Sequence, residues 1–212
     1  MPHTYPFKEV ITSVESLREI MGTPSELVIR KQLDHLDPHA RAFIARSPFL
    51  VIGTHGQGKV GDVSPRGDAP GFVAVLDDHT LVIPERPGNR RLDTLLNVLQ
   101  TGAVGLIFMV PGVEETLRIN GRACIVRDEA LLERMTARGK RPLLGIGVEV
   151  QECFFHCAKA FKRSGLWQPE TWSSRSGMAS LAQILVDQTK PENTSVEDLE
   201  KQIAESYATR LY

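Results

Sequence analysis

The feature that most constrains this chain is a change of hydrophobic period at Phe49. Before it, apolar residues recur at helical spacing; after it they alternate. Phe49-Leu50-Val51-Ile52 is a short apolar run leading into a glycine-studded segment, residues 53–61. Residues 72–76, an Asp77-Asp78 turn and residues 80–83 follow, and residues 103–110 are rich in β-formers. Residues 116–127 alternate Leu117, Ile119, Ala123 and Ile125 with Arg118, Asn120, Arg122 and Cys124. Residues 144–155 alternate Ile146, Val148 and Val150 with Gly147, Glu149 and Gln151. Short turns join most of these six segments, which predicts an α+β fold, mainly β, whose six-stranded antiparallel sheet closes into a barrel. Two helices interrupt it. One covers residues 90–100 with Leu92, Leu95, Leu96 and Leu99 on one face, and the other covers about residues 128–138.

Helical extensions flank the barrel. Residues 1–47 carry a capping box at Thr12-Ser13-Val14-Glu15, a second start at Thr23-Pro24-Ser25-Glu26 with proline in the first turn, and a third at Asp37-Pro38. Residues 48–170 form the barrel domain. Residues 171–212 are helical again, broken at Lys190-Pro191 and restarted at Ser195.

With 25 basic and 26 acidic side chains, the chain lacks the field that non-specific nucleic-acid binding needs. Residues 103–110, the longest apolar stretch, are too short to span a bilayer, and residues 1–12 contain no apolar core of a secretory signal. Cys124, Cys153 and Cys157 suit a reducing compartment. The expectation is a cytoplasmic protein with neither nucleic-acid nor membrane partners.

Gly56-Gln57-Gly58-Lys59-Val60-Gly61 matches a dinucleotide fingerprint, but Asp62-Val63-Ser64-Pro65 cannot open the helix such a site requires. A hairpin is expected instead. Arg86-Pro87-Gly88-Asn89-Arg90-Arg91 is more informative. If Asn89 caps the following helix, cations occupy an end that the macrodipole makes electropositive. A bound phosphate reverses that sign, through amide N–H groups and guanidinium forks. The ordinary alternative is a solvated basic turn paired with Glu85 or Asp93. Ser64, Arg66 and Asp68 lie on what reads as a short turn. Arg118, Asn120 and Arg122 share one strand face, which either meets water or walls a polar site. Cys153-Phe154-Phe155-His156-Cys157 lacks the second ligand pair of a zinc site, so no metal is expected. Lys159, Lys162 and Arg163 precede Trp167, an arrangement able to meet an anionic aromatic ligand or simply water.

The order of these segments resembles the pyridoxamine 5′-phosphate oxidase-like FMN-binding split-barrel family. The resemblance is carried by residues 62–68, by Thr80-Leu81-Val82-Ile83-Pro84 leading to Arg86–Arg91, and by Leu117-Arg118-Ile119-Asn120-Gly121. Residues 154–167 resemble a subgroup of FMN-dependent enzymes within it. It implies a homodimer with FMN sites between subunits, a small-molecule substrate and an FMN-dependent oxidoreductase activity. Arg90 and Arg91 would hold the FMN phosphate with Asn89 beside them. Ser64 and Arg66 would line the ribityl chain and ring, and Arg118 matches the arginine of the strand motif. Lys159 and Arg163, with His156, would come from the partner's C-terminal segment. His156 is also the candidate for acid–base work. The Arg-x-His element and Ser-rich stretch of pyridoxamine 5′-phosphate oxidases are absent. The alternatives are a flavin or haem carrier or redox sensor, with His156 the first haem ligand, and a pyridoxamine 5′-phosphate oxidase.

Overall fold

The computed structural model describes residues 6–58 and 60–212, so part of the 1–12 stretch and Lys59 of the glycine hairpin lie outside the described residues. Two units, Met1–Gln32 and Leu33–Tyr212, make up the chain.

In the first unit, α1 (Val14–Met21) is capped by Ser13, whose Oγ accepts the Ser16 N–H at 3.1 Å, and it ends at Gly22 with φ 73°. The cap falls on Ser13, so the expected Thr12–Glu15 box does not form. Pro24 likewise precedes the Ser25 cap of α2 (Glu26–Arg30) and is not in its first turn.

The second unit opens with α3 (Pro38–Ile44), where Asp37 accepts the Ala40 N–H at 2.7 Å and Pro38 takes a position whose N–H has no helical partner. There follow β1 (Phe49–His55), β2 (Gly61–Gly67), β3 (Ala74–Val75), β4 (Thr80–Pro84) and α4 (Asp93–Thr101). Next come β5 (Ala103–Met109), β6 (Thr116–Val126), α5 (Glu129–Glu133), β7 (Gly145–His156) and α6 (Lys159–Ser164). A 3₁₀ turn (Pro169–Thr171), α7 (Leu181–Thr189) and α8 (Val196–Thr209) complete it, α8 starting in a Ser195–Asp198 capping box.

Among the described residues, seven antiparallel strands lie in the order β2-β1-β5-β6-β7-β4-β3, and no ladder joins the first to the last. This corrects the expected closed six-stranded barrel. The extra strand is β2, whose Ser64-Pro65-Arg66 reads as a turn by composition. Proline is tolerated because β2 is an edge strand. At the other edge, only two residues of the expected strand 72–76 pair, because the Phe72 N–H turns back to the Ala69 carbonyl. The expected helix 128–138 stops at Glu133, since Arg138 (φ 48°) and Gly139 (φ 71°) form a tight turn closed by the Ala137–Lys140 bridge.

The main core lies on one face of the sheet, and a smaller cluster of Val82, Leu132 and Met135 is buried behind β4. Leu50, Ile52, Leu81, Ile83, Leu106, Phe108, Leu117, Ile119, Ile146 and Val148 point into the main core and pack with Leu36, Ala40 and Ile44 around α3 and with Leu95 and Val98 of α4. Each fully buried aliphatic side chain contributes about 1.5–3 kcal/mol. Register is pinned by this alternation, since a one-residue slip would turn the apolar set outward. Where β6 and β7 cross, Gln151 is an extra residue between the Asn120–Glu152 and Gly121–Val150 pairs. The bulge presses the Glu149 carbonyl against Gly121, where no Cβ fits.

Candidate functional site

The open seam between β2 and β4 gathers the first group of expected residues. Strand β2 pairs Asp62, Ser64 and Arg66 with Thr54, Ile52 and Leu50, so all three side chains lie on the core side. Arg66 donates from Nε to Glu85 Oε2 at 3.1 Å and from Nη1 to Ser64 Oγ at 2.7 Å. Next to it, Arg86 Nε donates to Asp68 Oδ2 at 2.7 Å and Nη2 to the Met135 carbonyl at 2.9 Å. These side-chain pairs hold the two ends of the sheet together where backbone pairing does not. The Asp68 side chain is only 3% exposed. Burial alone would raise its carboxyl pKa, but hydrogen bonds from Tyr212, the Ala69 amide and Arg86 outweigh that and hold it below the ordinary carboxylate value. Asp62 Oδ2, further along β2, is buried and has no hydrogen-bond partner among the described residues.

Arg90 and Arg91 lie in the connection from β4 to α4, and here the helix start differs from expectation. Helix α4 begins at Asp93, with Leu92 as the N-cap at φ 60° and no side-chain cap. Asn89 is therefore not the cap; its Oδ1 accepts the Arg91 N–H at 3.0 Å in a local turn. Arg90 (φ 62°) and Leu92 both sit in the left-handed region, which costs about 1–2 kcal/mol each for a side-chain-bearing residue. Such strain concentrates at ligand-holding segments. Arg91 donates to Asp93 at 2.8 Å, and that bond chiefly raises its guanidinium pKa. Arg90 is exposed and makes no hydrogen bond or ion pair among the described residues. What results is an uncapped helix tip with one engaged and one unengaged guanidinium beside it.

Arg118 is elsewhere. It pairs with Ile107 on β5, whereas the inward residue beside it is Leu117, so Arg118 occupies the face turned away from the core. The sheet itself separates it from Ser64 and Arg66. Its Nε donates to Asn120 Oδ1 at 3.3 Å, Asn120 donates to Glu152 at 2.6 Å, and its guanidinium lies 5.3 Å from the Phe154 ring centroid. His156 ends the same row, its ring 5.2 Å from Phe154. Lys159 and Arg163 are exposed one turn apart on α6. Lys162 pairs with Glu114 at 2.7 Å, and Trp167 is half-buried, stacked on Phe161 and donating to the Val113 carbonyl. Trp167 is thus a packing residue and not an exposed platform. Cys153 is buried, which pushes its thiol up to about 11. No group of three or more His, Cys, Asp or Glu among the described residues is placed to hold a metal.

A cavity of about 440 Å³ is lined by His35, Leu36, Asp37, Pro38, Arg41 and Asp78, none of them an expected site residue. Its walls are occupied by their own partners: Arg41 pairs with Asp78, and His35 with Asp34.

Tyr212 and Asp62 escape the sequence reading. Tyr212 reaches Asp68 across 144 positions, and no local pattern signals such a contact.

Residues 36–157 match the family model described as pyridoxamine 5′-phosphate oxidase, more than half of the chain. The chain belongs to the pyridoxamine 5′-phosphate oxidase family. This family match spans α3 through β7 and includes Ser64, Arg66, Asn89, Arg90, Arg91, Arg118 and His156, but stops short of Lys159 and Arg163. None of the curated proteins compared with it matches. Among solved structures, the chain is similar to HupZ of Group A Streptococcus at 17% identity, covering 56% of this chain and 92% of that one, with a TM-score of 0.47. An FMN-binding protein from Syntrophomonas wolfei is similar at 10% identity over 68% of this chain and 97% of its own, TM-score 0.42. A Clostridium acetobutylicum protein related to general stress protein 26 is similar at 12% identity over 56% and 85% respectively, TM-score 0.41. No helix among the described residues is long and apolar enough to cross a membrane.

Proposed function

We propose that this chain binds FMN and works as an FMN-dependent oxidoreductase on a small organic substrate. The observation that carries the reading is the segment between β4 and α4, where two strained residues bring Arg90 and Arg91 to a helix tip without a side-chain cap. That donor set suits a dianionic phosphate, since helix-end amides and guanidinium groups supply complementary hydrogen bonds. Arg90 has no competing partner among the described residues, while Arg91 must exchange Asp93 for the phosphate. Asp62 Oδ2, buried and without a partner among the described residues, can accept from a donor such as a ribityl hydroxyl. Ser64 and Arg66 lie on the same side of the same strand and would complete the lining.

Bound FMN would supply the redox chemistry, accepting or giving a hydride. The protein's part is to position the ring and set the charge around it. Arg66 is already neutralised by Glu85, so the positive charge it presents depends on that pair. Lys159, Arg163 and His156 would be added by a second subunit, and Arg118, which like His156 faces away from the seam within one chain, would then serve a site only across that interface. The proposed working form is a homodimer with composite sites. A cytoplasmic setting fits three free thiols.

The test is to purify the protein, record its absorption spectrum and identify the released chromophore by mass. FMN released at one per subunit is expected, and Arg90→Ala with Arg91→Ala should lose it on dialysis. Retention of flavin by that variant overturns the assignment of the phosphate, and a Soret band in place of flavin absorption overturns the cofactor.

A further inference from the structure

Tyr212 follows the end of α8, and no backbone hydrogen bond of Leu211 or Tyr212 holds it among the described residues. Its side chain, however, is held on three sides. The hydroxyl donates to Asp68 Oδ1 at 2.6 Å. The Arg86 guanidinium carbon lies 5.4 Å from the ring centroid, and that of Arg138 lies 5.1 Å from it. The carboxylate beneath is rigid: Oδ2 takes Arg86 Nε, Oδ1 also takes the Ala69 N–H at 2.7 Å, and the side chain is almost wholly shielded from water. Arg86 is fixed in turn by the Met135 carbonyl. Arg138 is presented by the strained turn that ends the α5 region.

The arrangement recognises a ring and a hydroxyl, and nothing of the peptide that carries them. Guanidinium groups attract the electron-rich ring face. A charged, desolvated acceptor rewards a hydroxyl far more than a methyl. Two guanidiniums against one carboxylate leave a net positive seat, which suits an electron-rich aromatic ring.

We propose that Asp68, Arg86 and Arg138 form a binding site for a hydroxylated aromatic ring, which Tyr212 occupies in this structure as a ligand in cis. The site adjoins the Arg66–Glu85 pair on the seam, because Arg86 follows Glu85 and Asp68 lies two residues from Arg66. A phenolic molecule enters by displacing the tail, so occupancy by the tail and by the ligand exclude each other. No flavin is needed for this recognition, and its test leaves the FMN reading untouched.

The probe is p-cresol, the tyrosine side chain without its backbone, titrated into the 212-residue chain without added flavin and followed by calorimetry and ligand-observed NMR. Tyr212→Ala is expected to bind one p-cresol saturably, with affinity at least about ten-fold above that for toluene, the effect of one charged hydrogen bond. Affinity should fall in the order Tyr212→Ala, Tyr212→Phe, unsubstituted protein, since Phe keeps the ring but gives up the hydroxyl. Adding Asp68→Asn to Tyr212→Ala should erase the preference for p-cresol over toluene. Equal binding of p-cresol and toluene to Tyr212→Ala, or binding by the unsubstituted protein as tight as by Tyr212→Ala, overturns the proposal. Should Tyr212→Ala fail to fold, the comparison of Tyr212→Phe with the unsubstituted protein decides: equal p-cresol affinity overturns it.

Discussion

Arg86 and Arg90 are four residues apart in one basic run, yet they live in different physical regimes. Arg86 is largely buried, bonded to a shielded carboxylate and a carbonyl, and stacked on an aromatic ring. Arg90 is exposed, left-handed in backbone and without a partner among the described residues. A largely buried cation anchored by a carboxylate and a carbonyl contributes to the architecture, whatever ring it also faces. An exposed one held at some conformational expense is available for a ligand. The run of three arginines therefore divides into one largely buried, anchored member and an exposed pair, the pair proposed above to hold a phosphate.

The sharpest way to break this distinction is Asp68→Asn. Removing one member of a shielded ion pair leaves Arg86 without its anion, and about 3 kcal/mol of stability should be lost in urea unfolding. A cost under about 0.5 kcal/mol, ordinary for a surface site, would put Arg86 in the same class as Arg90. Stability against pH reads the same pair. The Asp68 carboxyl titrates below its ordinary value in the folded chain. Its contribution is therefore complete above the unfolded pKa of about 3.9 and disappears as pH falls through the lower folded value. Asp68→Asn should flatten that acid limb, and an unchanged limb would assign the acid sensitivity elsewhere.

Smaller effects fall on the recognition side. Arg90→Ala with Arg91→Ala should change unfolding stability by no more than about 0.5 kcal/mol while abolishing retention of flavin, a dissociation between folding and binding that Arg86→Ala cannot show. Arg90→Gly should stabilise the chain, by up to about 1 kcal/mol, because glycine takes φ 62° without a Cβ penalty. A loss of stability there would mean that the guanidinium serves the fold after all.

Much of the second unit was legible because a one-sided sheet writes itself as alternation. Residues 116–127 and 144–155 differ from β6 and β7 by one residue at each end at most. Strand β2 was not, since its exposed edge tolerates Pro65 and its inward residues are polar. The helix start at Asp93 was hidden by Asn89, a good cap by composition that instead accepts from Arg91. Two left-handed residues without glycine cannot be foreseen from propensity, which favours them nowhere. Of the expected site residues, Ser64 and Arg66 meet at the seam and Arg91 stands by the α4 tip. Arg118 is on the opposite face, a separation set by strand register and visible only once every pairing is known.

The absence of any side-chain space at Gly121 has an evolutionary corollary. At that crossing the usual exchange of one residue for another is closed off: the Glu149 carbonyl stands where every other amino acid would place its first carbon. Saturation mutagenesis across β6 should therefore find Leu117 and Ile119 open to other apolar residues and exposed Arg122 open to most, but Gly121 closed to every replacement.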